Sequence, residues 1–359
     1  MLKINGKTIT GVVYKGKRIQ RIMVGGKKYY DMYDGKIIGN ALKAGSVSIG
    51  GKTYSYGVGY FELNIGELSV GSLSTAFSNK NLSTITHIGI DTSRVTNFFS
   101  LFDTNNDLES LNLAGVSTQN AASMYGMFNN CKSLTSLDVS GFNTQNVISM
   151  QNMFQNCSSL TSLDVSGFDT RNVTSMQSMF QGCAGLTSLD VSGFNTQNVT
   201  NMQNMFNNCN SLTSLDVSNF NTQNVTNMQY MFWGCSSLTS LDVSNFDTQN
   251  VTSMQNMFQG CKSMLTLNLG NEFDASKVTH VSGMFTACPV LKTITGSIKN
   301  LSISLSLSDC PLDHDSAMRI INGLATVTTA QTLTLSSTTK STLSTTEKAV
   351  LINKGWTLA

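Results

Sequence analysis

Apolar positions recur at a fixed spacing from about residue 82 to residue 310. The unit is clearest in LTSLDVSGFNTQNVISMQNMFQNC, which starts at Leu134, and near-copies start at Leu160, Leu186, Leu212 and Leu238. Cys131, Cys157, Cys183, Cys209, Cys235 and Cys261 mark the period, each 26 residues from the last. In LTSLDV, strand alternation turns Leu137 and Val139 inward and Ser136, Asp138 and Ser140 outward. A turn over Gly141, Phe142, Asn143 and Thr144 follows. Met150, Met153 and Phe154, at i, i+3 and i+4, predict one apolar face of a short helix. Ser149, or Thr174, Thr200, Thr226 and Thr252 in later copies, is placed to cap it. A unit this short can bury its apolar face only against its neighbours, so the fixed period predicts a stacked array. The expected fold is an α/β solenoid with a parallel sheet on one face and short helices or turns on the other. With strands ~4.8 Å apart, roughly nine units give a stack on the order of 40–45 Å long.

The pattern is degenerate before Leu134. Leu82/Ile85 and Leu108/Leu111 stand in the places of Leu134/Leu137, Phe102 and Phe128 precede Phe154, and Asn105 stands where the cysteine later falls. After Cys261 a one-residue insertion in GNEFDASKVTH moves the next cysteine to Cys288. The repeats are therefore assigned to residues 76–310. Residues 36–75, rich in glycine with Tyr54, Tyr56, Tyr60 and Phe61, read as a β connector that covers the open end of the first unit. Residues 1–35 alternate short β-type runs with Asn5-Gly6, Lys15-Gly16, Gly25-Gly26 and Asp34-Gly35, which are hairpin signals and predict a small basic β-meander. Residues 311–359 read as a different, capping unit. Strands are expected over Ser302–Leu307 and Gln331–Leu335, and a helix over Asp313–Leu324. A last helix is expected over Thr345–Lys354, with Thr345 as its cap, Glu347 in its first turn and Gly355 as its stop. Trp356 closes the end.

Charge changes this picture in one respect. Charged residues are only 12% of the chain and the net charge is +2, yet residues 1–52 carry eleven Lys/Arg against two acids. The remaining 307 residues carry twelve Lys/Arg against nineteen acids. A basic head on an acidic body points to two different partners. There is no apolar run of the 18 residues or so that a membrane-spanning helix needs, so no membrane insertion is expected. The opening MLKINGKTITGVVYKGK has no apolar secretory core and NKGWTLA no sorting signal, so synthesis and first folding are expected in a cytoplasm. The eight cysteines fall one per repeat with no CxxC pair, which argues against zinc. Their side chains point the same way into the core, poor geometry for disulfides, so buried free thiols are expected.

The run LTSLDVSxFxTxNVTxMxxMFxxCxSL resembles the 26-residue repeat of bacterial surface proteins, the BspA-type branch of the leucine-rich repeats. The resemblance covers about residues 82–310. The C-terminal NGLATVTTAQTLTL and EKAVLINKGWTLA resemble the terminal cap that accompanies such repeats in gut bacteria and their phages. The resemblance implies a leucine-rich-repeat solenoid displayed for recognition or adhesion, with no enzymatic activity. Separately, ITGVVYKGKRIQRIMVGGKKYYD is similar to the GK-rich β-modules that open many phage structural proteins.

Candidate chemistry lies in the outward columns. Asp138, Asp164, Asp190, Asp216 and Asp242 form a ladder of like charges that needs counter-ions, flanking Ser hydroxyls such as Ser136, or a basic or hydroxyl-rich ligand. The bland alternative is a solvated face copied with the repeat. Single carboxylates fall short of the oxygen count calcium wants, so no metal is assigned. Trp233 replaces the Gln or Asn of other copies and is either a partner anchor or covered by its neighbours. The Thr144-Gln145-Asn146 columns are expected to ladder and satisfy turn backbone groups. The Asn-Val-Thr sequons at Asn172, Asn198, Asn224 and Asn250 are read as products of the repeat. His87, His280 and His314 have no assignable catalytic partners, and no phosphate loop or HExxH run is present, so neither enzyme nor cofactor is expected. Lys15, Lys17, Arg18, Arg21, Lys27 and Lys28 are candidates for attaching the head to a virion. Few aromatics accompany them, so nucleic acid is not the expected partner. The leading expectation is a phage virion protein, a tail or head fibre or receptor-binding subunit. Its partners would be a host-surface glycan or protein, other virion proteins through the N-terminal module, and copies of itself. The alternative is a bacterial cell-surface adhesin.

Overall fold

The computed structural model describes residues 3–4, 7–8, 21–24, 27–31, 35–66 and 70–359, the four segments before residue 35 as backbone only. The repeat is a β-solenoid of about eleven turns with few helices. Its interior is a set of columns. Phe77, Phe102, Phe128, Phe154, Phe180, Phe206, Phe232, Phe258 and Phe285 stack ring on ring with centroids 5.3–5.9 Å apart, all fully buried. The methionines of Met150, Met153 and their copies, the Leu134 and Val147 columns and the cysteines fill the rest.

Short β1 (Lys3–Ile4) and β2 (Lys7–Thr8) pair antiparallel across Asn5-Gly6, and β3 (Arg21–Val24) pairs with β4 (Lys27–Asp31) across Gly25-Gly26. They form two separate two-stranded sheets, at two of the hairpin positions of the meander expected of residues 1–35. The remaining runs of that meander lie outside the described residues. β5 (Lys36–Ala41), β6 (Gly45–Ile49), β7 (Lys52–Tyr56) and β8 (Gly59–Asn64) follow. β5 pairs antiparallel with both β8 and β9 (Leu82–Ile88), so the connector adds itself to the edge of the first turn. β9 in turn pairs parallel with β10 (Ser110–Leu111).

The parallel sheet expected along the whole stack is interrupted. After β10 no regular strand forms until β11 (Ser240–Asp242), which ladders with β12 (Thr266–Asn268) and β13 (Thr293–Thr295). The break follows the chemistry of one column. Where strands form, the facing residues are Thr86 and Asn112, or Asp242, Asn268 and Thr295, and Asn268 Nδ2 donates to Asp242 Oδ2 at 3.1 Å. Where aspartate faces aspartate, from Asp138 to Asp242, no ladder forms. Like charges directly opposite oppose strand pairing, which accounts for the gap from Asp138 to Asp242; the missing pairing between Asn112 and Asp138 has no such cause.

The short helices expected over the Met/Phe segments are also absent. Each turn places two left-handed residues four apart, such as Asn152 (φ 57) and Asn156 (φ 57), Ser178 (φ 55) and Gly182 (φ 71), or Asn204 (φ 58) and Asn208 (φ 57). No α-helix tolerates that backbone. N–H groups then alternate in direction. Those of Asn152, Phe154 and Asn156 donate to the next turn at the carbonyls of Gln177, Met179 and Gln181 (2.9, 3.0 and 2.6 Å). Those of Met153, Gln155 and Cys157 close local bonds to Met150, Asn152 and Phe154 (3.2, 3.1 and 3.1 Å). Single bridges from Ser72 through Asn97, Ser123, Ser149 and Ser175 to His280 continue this ladder through every turn. Apolar spacing of i, i+3, i+4 is common to both geometries, and the Asn/Gly positions decide between them.

The far end is a small mixed unit. β14 (Leu305–Leu307), β15 (Gln331–Leu335) and β16 (Trp356–Leu358) form a parallel sheet. α1 (His314–Gly323) is capped by Asp313, whose side chain accepts from the Ser316 N–H. α2 (Ser337–Thr342) was not read from sequence. α3 (Thr345–Asn353) is capped by Ser344 rather than Thr345, in a reciprocal box with Glu347. Trp356 is buried, with Nε1 donating to the Ala325 carbonyl at 2.8 Å, and closes the stack.

Candidate ligand-binding site

The buried polar columns are occupied by the fold itself. Thr144 Oγ1 donates to the Asp169 carbonyl (3.0 Å) and accepts from the Asp169 N–H (2.8 Å), and Thr118, Thr170 and Thr196 repeat this pairing. Asn146, Asn172, Asn198, Asn224 and Asn250 each donate Nδ2 to a carbonyl of the preceding turn at 2.7–3.2 Å. These are the ladders expected of the Thr and Asn columns, and they engage the amide nitrogens of the four sequons. All eight cysteines are free and buried. From Cys131 to Cys288 each thiol donates to a phenylalanine carbonyl of the turn before, at 3.1–3.3 Å. Burial pushes Cys183 and Cys235 up to about 12, leaving them inert as nucleophiles near neutral pH. Asn105, which replaces the first cysteine, is buried and donates Nδ2 to the Phe77 and Phe102 carbonyls (2.6 and 2.8 Å), a polar substitute for the thiol.

The Asp ladder is exposed, as expected, and its charges are met by its own turn. Asp138 Oδ1 accepts from the Ser140 N–H (2.9 Å) and hydroxyl (2.6 Å), and Asp164 does the same with Ser166 (3.0 and 2.6 Å). Asp190, Asp216 and Asp242 accept from the N–H of Ser192, Ser218 and Ser244, each at 2.9 Å. The Ser166, Ser192 and Ser218 hydroxyls, then their N–H groups, hold Asp164, Asp190 and Asp216 below the usual carboxylate range. At Asp242 partial burial works the other way, and the Ser244 and Asn268 bonds outweigh it. Neighbouring aspartates raise Asp164 and Asp216, but by less than the serines lower them. Ser136 and Asp138 line a shallow cleft of about 310 Å³ with Thr86, Ser110 and Asn112, at the end of the strip nearest β9 and β10. The other aspartates continue along the strip beyond it.

Trp233 is half-buried, neither a free anchor nor fully covered. Its indole meets Tyr230 edge to face at 5.9 Å, and its carbonyl accepts from the Asn208 N–H (2.6 Å). Asn207, one turn before it in the same column, is 2% exposed and its Oδ1 has no partner. Sequence reasoning missed a second aromatic pair, Phe99 and Tyr125, stacked at 4.9 Å on the first turns. The available signal was that they break the glutamine column of Gln151, Gln177 and Gln203.

Of the attachment candidates, Lys15, Lys17 and Arg18 lie outside the described residues. Arg21 lies in β3, and Lys27 and Lys28 in β4, as described backbone only. His314 Nε2 pairs with Glu347 Oε1 at 2.9 Å and Nδ1 with Asp315 Oδ1 at 3.3 Å, joining α1 to α3. Among the described residues no three His, Cys, Asp or Glu side chains are grouped to hold a metal ion, and no helix is long and apolar enough to cross a membrane.

Fold and faces together define a repeat solenoid with a hydrocarbon and thiol core and hydroxyl-, amide- and carboxylate-bearing outer columns. The chain belongs to the family described as "Mycoplasma protein of unknown function, DUF285", whose model matches residues 71–189 and 174–298. No curated protein matches the chain.

Proposed function

We propose that this protein is a non-enzymatic recognition rod of a phage virion, a tail or head fibre or receptor-binding subunit. The BspA-like solenoid presents its outer columns to a glycan or protein on the host surface. The basic N-terminal module mounts it on other virion proteins, as a homo-oligomer. The observation that carries this reading is the division of labour among polar groups. The Thr, Asn and Cys columns are spent on holding turns together, while the aspartate and serine strip faces outward along the stack. A long, repetitive, hydroxyl-rich face suits multivalent contact with a repetitive surface polymer. The concentration of Lys and Arg in residues 1–52, and the likeness of residues 9–31 to phage structural modules, support the mount.

Proteomics of purified phage particles from the producing strain tests the assignment. The protein is expected among the tail or head components, and its absence from intact particles sinks the virion reading. One observation favours a second reading, a bacterial cell-surface adhesin of the BspA type: the matching family is described from Mycoplasma, a cellular organism. Surface labelling of intact cells of a prophage-free strain decides for the adhesin if the protein is labelled there.

A further inference from the structure

The solenoid meets its C-terminal cap at an open cleft of about 540 Å³, and its chemistry is opposite to that of the strip. From residue 81 to residue 270 the chain carries only Arg94, Lys132, Arg171 and Lys262 as cations against eleven acids. Lys299, from the loop after β13, and Arg319, from α1, both line the cleft, and its lining contains no carboxylate. We propose that this cleft binds a carboxylate-bearing sugar residue of an acidic saccharide. The inference rests on the recognition reading above and names its ligand class.

Both cations are positioned and neither is consumed. Lys299 is fixed by its backbone, whose N–H donates to the Phe273 carbonyl (2.9 Å) and whose carbonyl accepts from the Ala275 N–H (2.7 Å). Arg319 Nη1 reaches the Ile294 carbonyl at 3.4 Å, which orients the guanidinium and leaves its other donors for a ligand. The acids that feel these charges are engaged elsewhere. Asp274 accepts from the Ser276 N–H (2.7 Å) and Asn300 Nδ2 (2.9 Å). Asp313 caps α1 through the Ser316 N–H (2.8 Å) and accepts from Thr293 Oγ1 (2.9 Å). Neither cation forms an ion pair among the described residues.

The end of α1 faces the cleft, and a helix C-terminus disfavours an anion. Here Lys354 covers that end, its Nζ donating to the carbonyls of Ile321, Asn322 and Leu324 at 3.2, 2.6 and 2.7 Å. Gly296 also lines the cleft, at φ 76 and so close to the preceding turn that a Cβ would collide with the Gly270 backbone. Asn271 and Asn322 are exposed on the rim with free amide groups, suited to sugar hydroxyls beside a carboxylate held by the guanidinium fork.

The test is calorimetric titration of the full chain with oligogalacturonate, with its methyl-esterified form, and with sulfated and unmodified dextran. Binding of the free acid, weakened about tenfold or more by esterification and again by R319Q or K299Q, is the expected result. Equal binding of acid and ester, retention of affinity in both variants, binding of the sulfated polymer alone, or no binding of the acid each overturns the proposal. Arg319 contacts the Ile294 carbonyl, so R319Q is read only at an unchanged melting temperature, and exposed Lys299 gives the same reading independently. Binding of the protein to intact host cells separates the two levels. If it persists in K299Q and R319Q while no acidic sugar binds, the cleft assignment fails and the recognition reading stands.

Discussion

Each turn of the solenoid has two long edges, and they solve one problem in opposite ways. On the Met/Phe edge the backbone is contorted, with two left-handed residues per turn, yet every alternate N–H reaches the next turn and the ladder is unbroken. On the Leu-x-x-Leu-x-Val edge the sequence is far better suited to strands, yet the ladder stops wherever aspartate would face aspartate. Along most of that edge strand propensity is thus overruled by a charged column, and an unfavourable backbone is sustained by its local and inter-turn hydrogen bonds. Cohesion comes from the irregular edge. The regular-looking edge leaves its carboxylates and hydroxyls exposed, with Asp164, Asp190 and Asp216 bonded within their own turn, which suits a contact face.

Amide hydrogen exchange should show the largest contrast. The N–H groups of Asn152, Phe154 and Asn156 are expected to exchange orders of magnitude more slowly than those of Ser162, Asp164 and Ser188. Equal protection on both edges would remove the distinction. Next in size is Phe180→Ala, which opens the ring column between Phe154 and Phe206 and should cost about 3–5 kcal/mol in urea unfolding. A smaller, purely backbone effect is expected at Asn152: Val there should destabilise by about 1–2 kcal/mol relative to Gly, because only the β-branched side chain resists φ 57. A helical segment would reverse that order.

The smallest change in stability is expected from neutralising the strip with D164N, D190N and D216N together. If charge repulsion breaks the sheet, these asparagines should extend the β11 ladder and raise amide protection at residues 162–216. The same variant has a signed pH dependence. Serine bonds depress the folded-state pKa of all three carboxyls. Their contribution is therefore complete above the unfolded value, near ~3.9, and is lost as pH falls through the folded value. The variant should flatten the acid limb of the melting curve, losing at neutral pH the small contribution that the wild-type chain itself loses on acidification, so that the two curves converge at low pH.

The columns of Leu, Val, Phe, Met and Cys were legible because burial writes itself into a strict period. The outward direction of the aspartates was legible for the same reason. The helix expected over Met150–Phe154 was misread because spacing reports which residues face the core and not how the backbone gets there. Asn152 and Asn156, replaced by Gly126, Gly182, Gly234 and Gly260 in other copies, carried the missing information. At α3 the chain offers Ser344, Thr345 and Thr346 in a row, and only the reach of Glu347 selects Ser344. The cleft of Lys299 and Arg319 was invisible because its walls come from separate turns, where no local pattern joins them.

The unbroken ladder on the Met/Phe edge has an evolutionary consequence. Every middle turn offers its two neighbours the same donors and acceptors, so neither end of the rod registers how many turns lie between them. Unequal recombination between the near-identical coding units can add or delete one without disturbing either terminus. Reach would then vary among descendants in steps of ~4.8 Å, inherited as copy number instead of by redesign.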